Sequence, residues 1–352
     1  MAEISGGGVR TRGRRGGISR RQAHGALPPK LSAVAVLAAA GLTLLPGVAS
    51  ASGSSCIPLG SAANYGEYGD GSNSVDGETV GAGVAYNAST SLDNSTFATA
   101  SGPTATQTTM VLGTSGDSIT DPVTLQNGSA DYVGSLSGGT ITTSQSGASA
   151  NSVTTSPLNF SAADAALTSA SSQFDALTTS GTITGATTLT LTGTLTGTDV
   201  FNVTTTALKA ATTIAISVPS GASVLVNVTG SSYSGSKQSV TLTGAAPADV
   251  LWNFEGGSVS LSKEASWQGS VLESDGALTV ENSTVNGSLF DFGSAFLFEN
   301  TVNSDLFTGC ISSQPPTGTP EAPLSVLLPA AGLLMGGTAY ATQRRRRRRV
   351  TP

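Results

Sequence analysis

The feature that most restricts the fold is a succession of short runs, from about Ala186 to Phe298, in which Val, Ile or Leu alternates with Thr or Ser. Leu189-Thr-Leu-Thr192, Ile214-Ala-Ile-Ser-Val218, Val224-Leu-Val-Asn-Val228, Val240-Thr-Leu-Thr243, Val250-Leu-Trp-Asn-Phe254, Val259-Ser-Leu261 and Leu278-Thr-Val280 form the series. A period of two turns one face inward and leaves the other wet, as in a strand. The runs begin about 8 to 16 residues apart and are broken by Gly, Pro and Asn. That spacing permits a sandwich or a solenoid. Over 60–150 the strand candidates are sparser, namely Val80 to Tyr86, Met110-Val-Leu112 and Val123-Thr-Leu125, between Gly/Ser/Asn-rich loops.

One segment has a different period. Phe160, Ala163, Leu167, Ala170, Phe174 and Leu177 are separated by steps of 3, 4, 3, 4 and 3, one apolar stripe of a helix. Ser161 is the expected N-cap, with Asp164 three residues on, and Gly181 lies past the end. A single amphipathic helix in a β-rich chain must bury its stripe against the flank of the β structure.

Charge divides the chain into a body and two ends. Residues 52–320 hold no Arg and no His, and Lys209, Lys237 and Lys263 face twenty acidic residues, a formal charge of −17. Such a body repels nucleic acid, so no nucleic-acid partner is expected. Charged residues make up 11% of the chain, against about 25% in ordinary globular proteins. Ser, Thr, Gly and Ala fill the difference, which suits exposed strands and tight turns.

The twelve arginines sit at the ends, each cluster abutting an apolar run. Residues 1–51 read as a signal peptide: a basic region, an apolar run from Leu31 to Val48, and cleavage after Ala51 in Ala49-Ser50-Ala51. At the other end, 311–323 is a Pro-rich linker. The uncharged stretch Leu324 to Thr342 within 324–349 is long enough to span roughly 30 Å of hydrocarbon. Arg344 to Arg349 would then stop transfer on the cytoplasmic side. Pro320-Glu321-Ala322-Pro323 is similar to the Pro-containing motif of bacterial surface-sorting tails. The expectation is an exported protein held by a C-terminal membrane helix on the extracellular face of the membrane or wall of a bacterium. Cys56 and Cys310 border the body, and an even count this low in an exported chain most simply gives one disulfide.

Several chemistries lack their residues. Without His or Arg in the body there is no imidazole base and no guanidinium clamp. Asp249, Glu255, Glu264, Glu273 and Asp275 could hide a glycosidase-like carboxylate pair, but no spacing singles one out, and a solvated acidic surface is the expectation. Asp70-Gly-Ser-Asn73, Asp291 and Asp305 offer oxygens for Ca²⁺ without the spacing of a known loop, so no metal and no cofactor are expected. Trp252 and Trp267, 15 residues apart, read as stacked core aromatics rather than a sugar platform. Thr187 to Thr196 places alternate threonines on one face, which fits plain strand propensity or recognition of ordered water such as ice.

The body resembles the bacterial choice-of-anchor A family, an ice-binding-like adhesive domain found with various C-terminal anchors. The stretches that carry the resemblance are Leu59-Gly-Ser-Ala-Ala-Asn64, Phe160-Ser-Ala-Ala-Asp164, Asp199-Val-Phe-Asn-Val203, Val224-Leu-Val-Asn-Val228 and Val250-Leu-Trp-Asn-Phe254. Trp267-Gln-Gly-Ser-Val-Leu272, Asn286-Gly-Ser-Leu289 and Phe307-Thr-Gly-Cys310 complete them. The resemblance covers residues 52–310. It implies a mainly β fold, a right-handed parallel β-solenoid with one long helix packed alongside. It also implies an adhesive role toward an extracellular polymer or a host or neighbouring-cell surface, with ice as the alternative target. No catalytic residues come with it.

Overall fold

A computed structural model describes residues 55–312 of the 352-residue chain. The expected cleavage site at Ala51, the motif Pro320-Glu321-Ala322-Pro323 and the apolar stretch after it lie outside the described residues. Among the described residues, no helix is long and apolar enough to cross a membrane.

The strands stack into a three-sided parallel solenoid. One side has ten strands, one eight and one eleven, and each complete coil of strands contributes in turn to all three. The pairs between these strands are parallel except one, the hairpin of Thr182–Thr184 with Thr188–Thr192. Each return to the same side takes a full coil, a crossover for which a right hand is the rule. The interior is filled by the inward residues of all three sides, with Trp252 and Trp267 fully buried at its centre, ring centroids 4.6 Å apart.

The chain does not climb the stack in order. Its first coil, with Glu67–Gly69, Asn73–Asp76 and Thr79–Val80, lies mid-stack, and later coils rise to Ala150–Val153 at one end. Helix α1 (Phe160–Asp175) then carries the chain back, and the remaining coils return from the opposite end to the middle. The last coil docks on the first: Glu67 pairs with Leu289, Ser74 with Phe296 and Thr79 with Thr301.

The apolar stripe of α1 covers the ten-strand side, here called the helix face. Phe160, Ala163, Leu167, Ala170 and Phe174 pack on outward residues from eight strands, among them Val111, Ala85, Tyr68, Phe290, Leu272, Leu251 and Leu225. This explains why Ser223–Thr229 and Val250–Glu255 are buried on both sides, whereas strands of the other two faces alternate. The lengths agree. From Tyr68, which reaches the Phe160 carbonyl, to Asn227, which reaches that of Phe174, is four strand steps, or about 19 Å. The helix rises about 21 Å between those two phenylalanines.

The helix start lies two residues before the expected one. Asn159, not Ser161, is the N-cap, its side chain accepting from Ala162 N at 3.1 Å. Asp164 is drawn away from capping, because its carboxylate accepts the Tyr68 hydroxyl. Helix α2 (Thr205–Ala210) had no signal in the periodicity. It takes the place of a strand in the coil between Thr198–Thr204 and Thr213–Ser217.

Candidate binding faces

The eleven-strand side is a threonine face. Its outward residues line up across ten coils, from Thr188 through Thr213, Ser239, Ser266, Thr284, Thr301, Thr79, Thr96 and Thr124 to Thr142. The column crosses the junction between first and last coils without a break. Inward partners such as Leu189, Ile214, Val240, Trp267, Val285, Val302, Val80 and Phe97 fill the core and fix which side the hydroxyls take.

At one end the face widens into three columns. The second runs Thr184, Thr190, Ala215, Thr241 and the third Thr182, Thr192, Ser217, Thr243. None of these positions is charged, although the body carries −17. Strand geometry sets a repeat of about 4.8 Å along a column and about 6.6 Å between columns. In the middle coils the second column changes to amides. Asn286 Nδ2 donates to Gln268 Oε1 at 3.0 Å, and Asn303 Nδ2 to Asn286 Oδ1 at 2.6 Å. A shallow groove of about 330 Å³ borders the first column, lined by Ser266, Thr284, Thr301 and the side chains of Glu264, Asn282 and Glu299.

The eight-strand side is serine-rich and more acidic. Ser234, Ser260, Thr279, Phe296, Ser74 and Ser91 share one outward column; Glu281, Phe298, Asp76 and Asp93 share the next. Phe296 is the one exposed large hydrophobic among the described residues.

The acidic residues separate into two populations. Glu273, expected on a solvated surface, is buried: its carboxylate turns inward and accepts from Asp275 N and Gly276 N of its own turn. It stands in register with Asp291, whose carboxyl is pushed up to about 8 by burial and then by Glu273. Glu67 is also inward, accepting the Tyr86 hydroxyl, and burial raises it to about 7. Glu78 accepts from Asn300 Nδ2 at 2.7 Å across the junction; burial, and then the neighbouring Glu67, raise it to about 9. Glu255 is raised to about 7 by burial and by Asp175. Asp249 accepts from Ala246 N at 3.3 Å.

The suggested cation ligands do not converge. Asn73 faces inward with its amide on Gly71 O, Asp70 accepts from Asn87 Nδ2, and no three His, Cys, Asp or Glu side chains form a metal-holding group among the described residues. Trp252 Nε1 donates to Gln268 O at 2.9 Å, and neither Trp is available as a platform. Cys56 and Cys310 form the expected disulfide. Periodicity marked Thr188, Thr190 and Thr192, and also Thr124, Ser217, Thr241 and Thr243 within their own runs, but not their alignment; Thr79, Thr96, Thr142, Thr284 and Thr301 stand outside every such run.

Residues 58–290 match the family described as "Putative Ice-binding-like adhesive domain". A search of the curated proteins gave no match. Among solved structures, an ice binding protein from an Antarctic biological consortium is 16% identical, with 70% of this chain and 90% of that chain covered and a TM-score of 0.38. An ice-binding protein from the Antarctic ascomycete Antarctomyces psychrotrophicus is 16% identical over 70% and 98%, TM-score 0.37. A glycosylated ice-binding protein from an Arctic yeast is 18% identical over 76% and 97%, TM-score 0.37. The family match spans most of the described residues, and the chain belongs to the ice-binding-like adhesive domain family.

Proposed function

We propose that the protein is a non-catalytic adhesive module of the choice-of-anchor A type, displayed outside a cell and docking an extracellular polymer through its threonine face. The observation that carries the reading is the uncharged three-column array at one end of that face, on a strongly acidic body. A rigid stack of strands holds its hydroxyls at two fixed repeats, so a repetitive ligand finds many equivalent contacts at once. Each contact is weak, and their number supplies the affinity. Export and anchoring rest on the signal sequence, on Pro320-Glu321-Ala322-Pro323 and on the apolar stretch with its arginines. The purified full chain, probed on glycan and matrix-protein arrays, should bind one repetitive polymer class and lose it when threonine-face residues are enlarged. Binding that ignores those substitutions would sink the reading. Hydrolysis of any bound polymer, lost on one carboxylate substitution, would overturn the absence of catalysis.

A second reading has its own support. Thr offers a methyl and a hydroxyl together, and a flat Thr array can order water in a lattice-like layer, so ice is the alternative ligand. Ice-recrystallisation and thermal-hysteresis measurements separate the two. Activity at micromolar protein would move the assignment to ice adhesion.

A further inference from the structure

The two ends of the solenoid are finished differently. At the end where Thr198–Thr204 is the terminal strand of the helix face, its outer edge is occupied: Ser180 N donates to Val200 O at 2.9 Å, while Val200 N and Asn202 N donate to Ser180 Oγ and Thr179 Oγ1. Helix α2 packs beside Tyr233–Ser236, the terminal strand of the serine-rich face, and Lys209 Nζ ties it to Ser232 O at 2.6 Å. The threonine face there ends in its antiparallel hairpin. At the opposite end the terminal strands are Ala150–Val153, Ser137–Gly138 and Ile141–Thr143, and among the described residues no backbone hydrogen bond reaches their outer edges.

That open edge has a defined register. Ala130 N donates to Ser149 O and Gly134 N to Val153 O, and alternate residues of a parallel ladder face away from the partner strand. Ala150 and Ser152 therefore present their N–H and C=O groups outward. Unpaired edges are usually blunted by Lys, Pro or inward charges. Here residues 132–163 contain no Asp, Glu, Lys or Arg, and the first Pro is Pro157, beyond the strand. Asp131, next to this stretch, is engaged by Thr108 Oγ1 and Asn151 Nδ2.

We propose that this end docks a second copy of the chain, Ala150–Val153 of one pairing antiparallel with Ala150–Val153 of the other about a two-fold axis. The charge distribution selects that occupant. Two bodies of charge −17 repel side by side, whereas their neutral ends meet without opposed acids. An isologous contact also needs only one edge, used twice. Cys56 and Cys310 lie nine strand steps away on the helix face, about 43 Å. Resting on the anchored reading above, copies on facing cells present these ends to one another. The end of one coil is a small interface and holds weakly as a single pair. Arrays of copies multiply it.

Sedimentation velocity on the full chain in detergent, over a micromolar-to-millimolar range, tests this. A weak monomer–dimer equilibrium is expected. Ser152→Pro removes an outward donor, and Ser152→Glu places like charges across the axis while leaving the backbone intact; each should weaken dimerisation at least about tenfold. Ser152 is exposed and its hydroxyl donates to the Gly134 carbonyl at the surface, so thermal melts of Ser152→Glu should stay within a few degrees of the parent. A chain that stays monomeric throughout, or a dimer that survives both substitutions, overturns the proposal. The array and ice assays read the threonine face, so a monomer that still binds its target defeats only this pairing.

Discussion

Asn227 Nδ2 donates to the Phe174 carbonyl at 2.7 Å, so a strand side chain caps the C-terminal turn of α1. It is the middle of a ladder in register across three strands, with Asn202 on one side and Asn253 on the other. Asn202 Nδ2 reaches Leu177 O at 3.2 Å, and Asn253 joins Ser171 Oγ to the Asp175 carboxylate. The C-cap, Ala176, is right-handed, with none of the glycine geometry that ends many helices, and these amides supplement the one backbone bond, Leu177 N to Phe174 O at 2.9 Å, that closes the last turn. Asn227→Ala should cost about 1 kcal/mol, the usual net worth of a buried hydrogen bond, since the Phe174 carbonyl keeps its bond from Leu177 N. A denaturant midpoint unchanged within error would refute the capping role.

Stability should fall as pH rises. Glu67, Asp291 and Glu78 are raised to about 7, 8 and 9 in the folded chain, chiefly by burial, from ordinary values near 4.5 or below. The folded state thus holds more protons than the unfolded one across this window, and the slope of unfolding free energy with pH is negative. Their neutral forms give full stability below about pH 4, and it is lost progressively up to about pH 9. Melting at pH 5 should therefore occur several degrees above melting at pH 9. Glu78→Gln keeps an acceptor for Asn300 without a titrating proton and should flatten the upper part of the curve. A flat profile in the parent would show that these carboxyls stay ionised.

Much of the fold was legible because its signals are local. The steps of Phe160, Ala163, Leu167, Ala170 and Phe174 marked the helix, and alternation in Leu189 to Thr192 or Leu278 to Val280 marked strands with one wet side. The docking of the last coil on the first was not legible. Glu78 meets Asn300 over a separation of 222 residues, and nothing around either residue announces the partner. The inward acids were hidden for the same reason. Glu273 looks like any surface glutamate until the coil places Asp291 beside it and its own turn's N–H groups over it. The cap of α1 went to Asn159 because Tyr68, far away in sequence, claims Asp164.

The disulfide closes a loop with a sequence separation of 254, for which the chain-entropy account gives about 5 kcal/mol. It also fixes the segment ending near Ser312, where Ile57 N donates to Ile311 O and Thr198 Oγ1 to Cys310 O. Cys56→Ser with Cys310→Ser should lower the denaturant midpoint while leaving the cooperativity of the coils intact. A loss of less than about 1 kcal/mol would mean that packing of Ile57, Leu59, Phe307 and Ile311 on α1 already holds the two segments together.

The threonine face offers the most direct test of function, because its outward side chains are separable from stability. Thr190 and Thr241 lie in one column on either side of Ala215, while Leu189, Leu191 and Val240 carry the packing underneath. Enlarging an outward strand residue costs little when it is not buried, and aromatic residues are themselves good strand formers. Thr241→Tyr, and Thr190→Tyr with it, should leave the melting temperature within a few degrees. Their rings would stand above the hydroxyl plane and hold a flat ligand off several coils at once, so the loss should far exceed that of one contact and reach tenfold or more, over about 1.4 kcal/mol. Thr124→Tyr, on the single-column part of the same face, should do much less if the three-column patch is the contact. Equal losses at Thr241 and Thr124 would extend the contact along the whole column, and no loss at either would move the binding surface to another side of the solenoid.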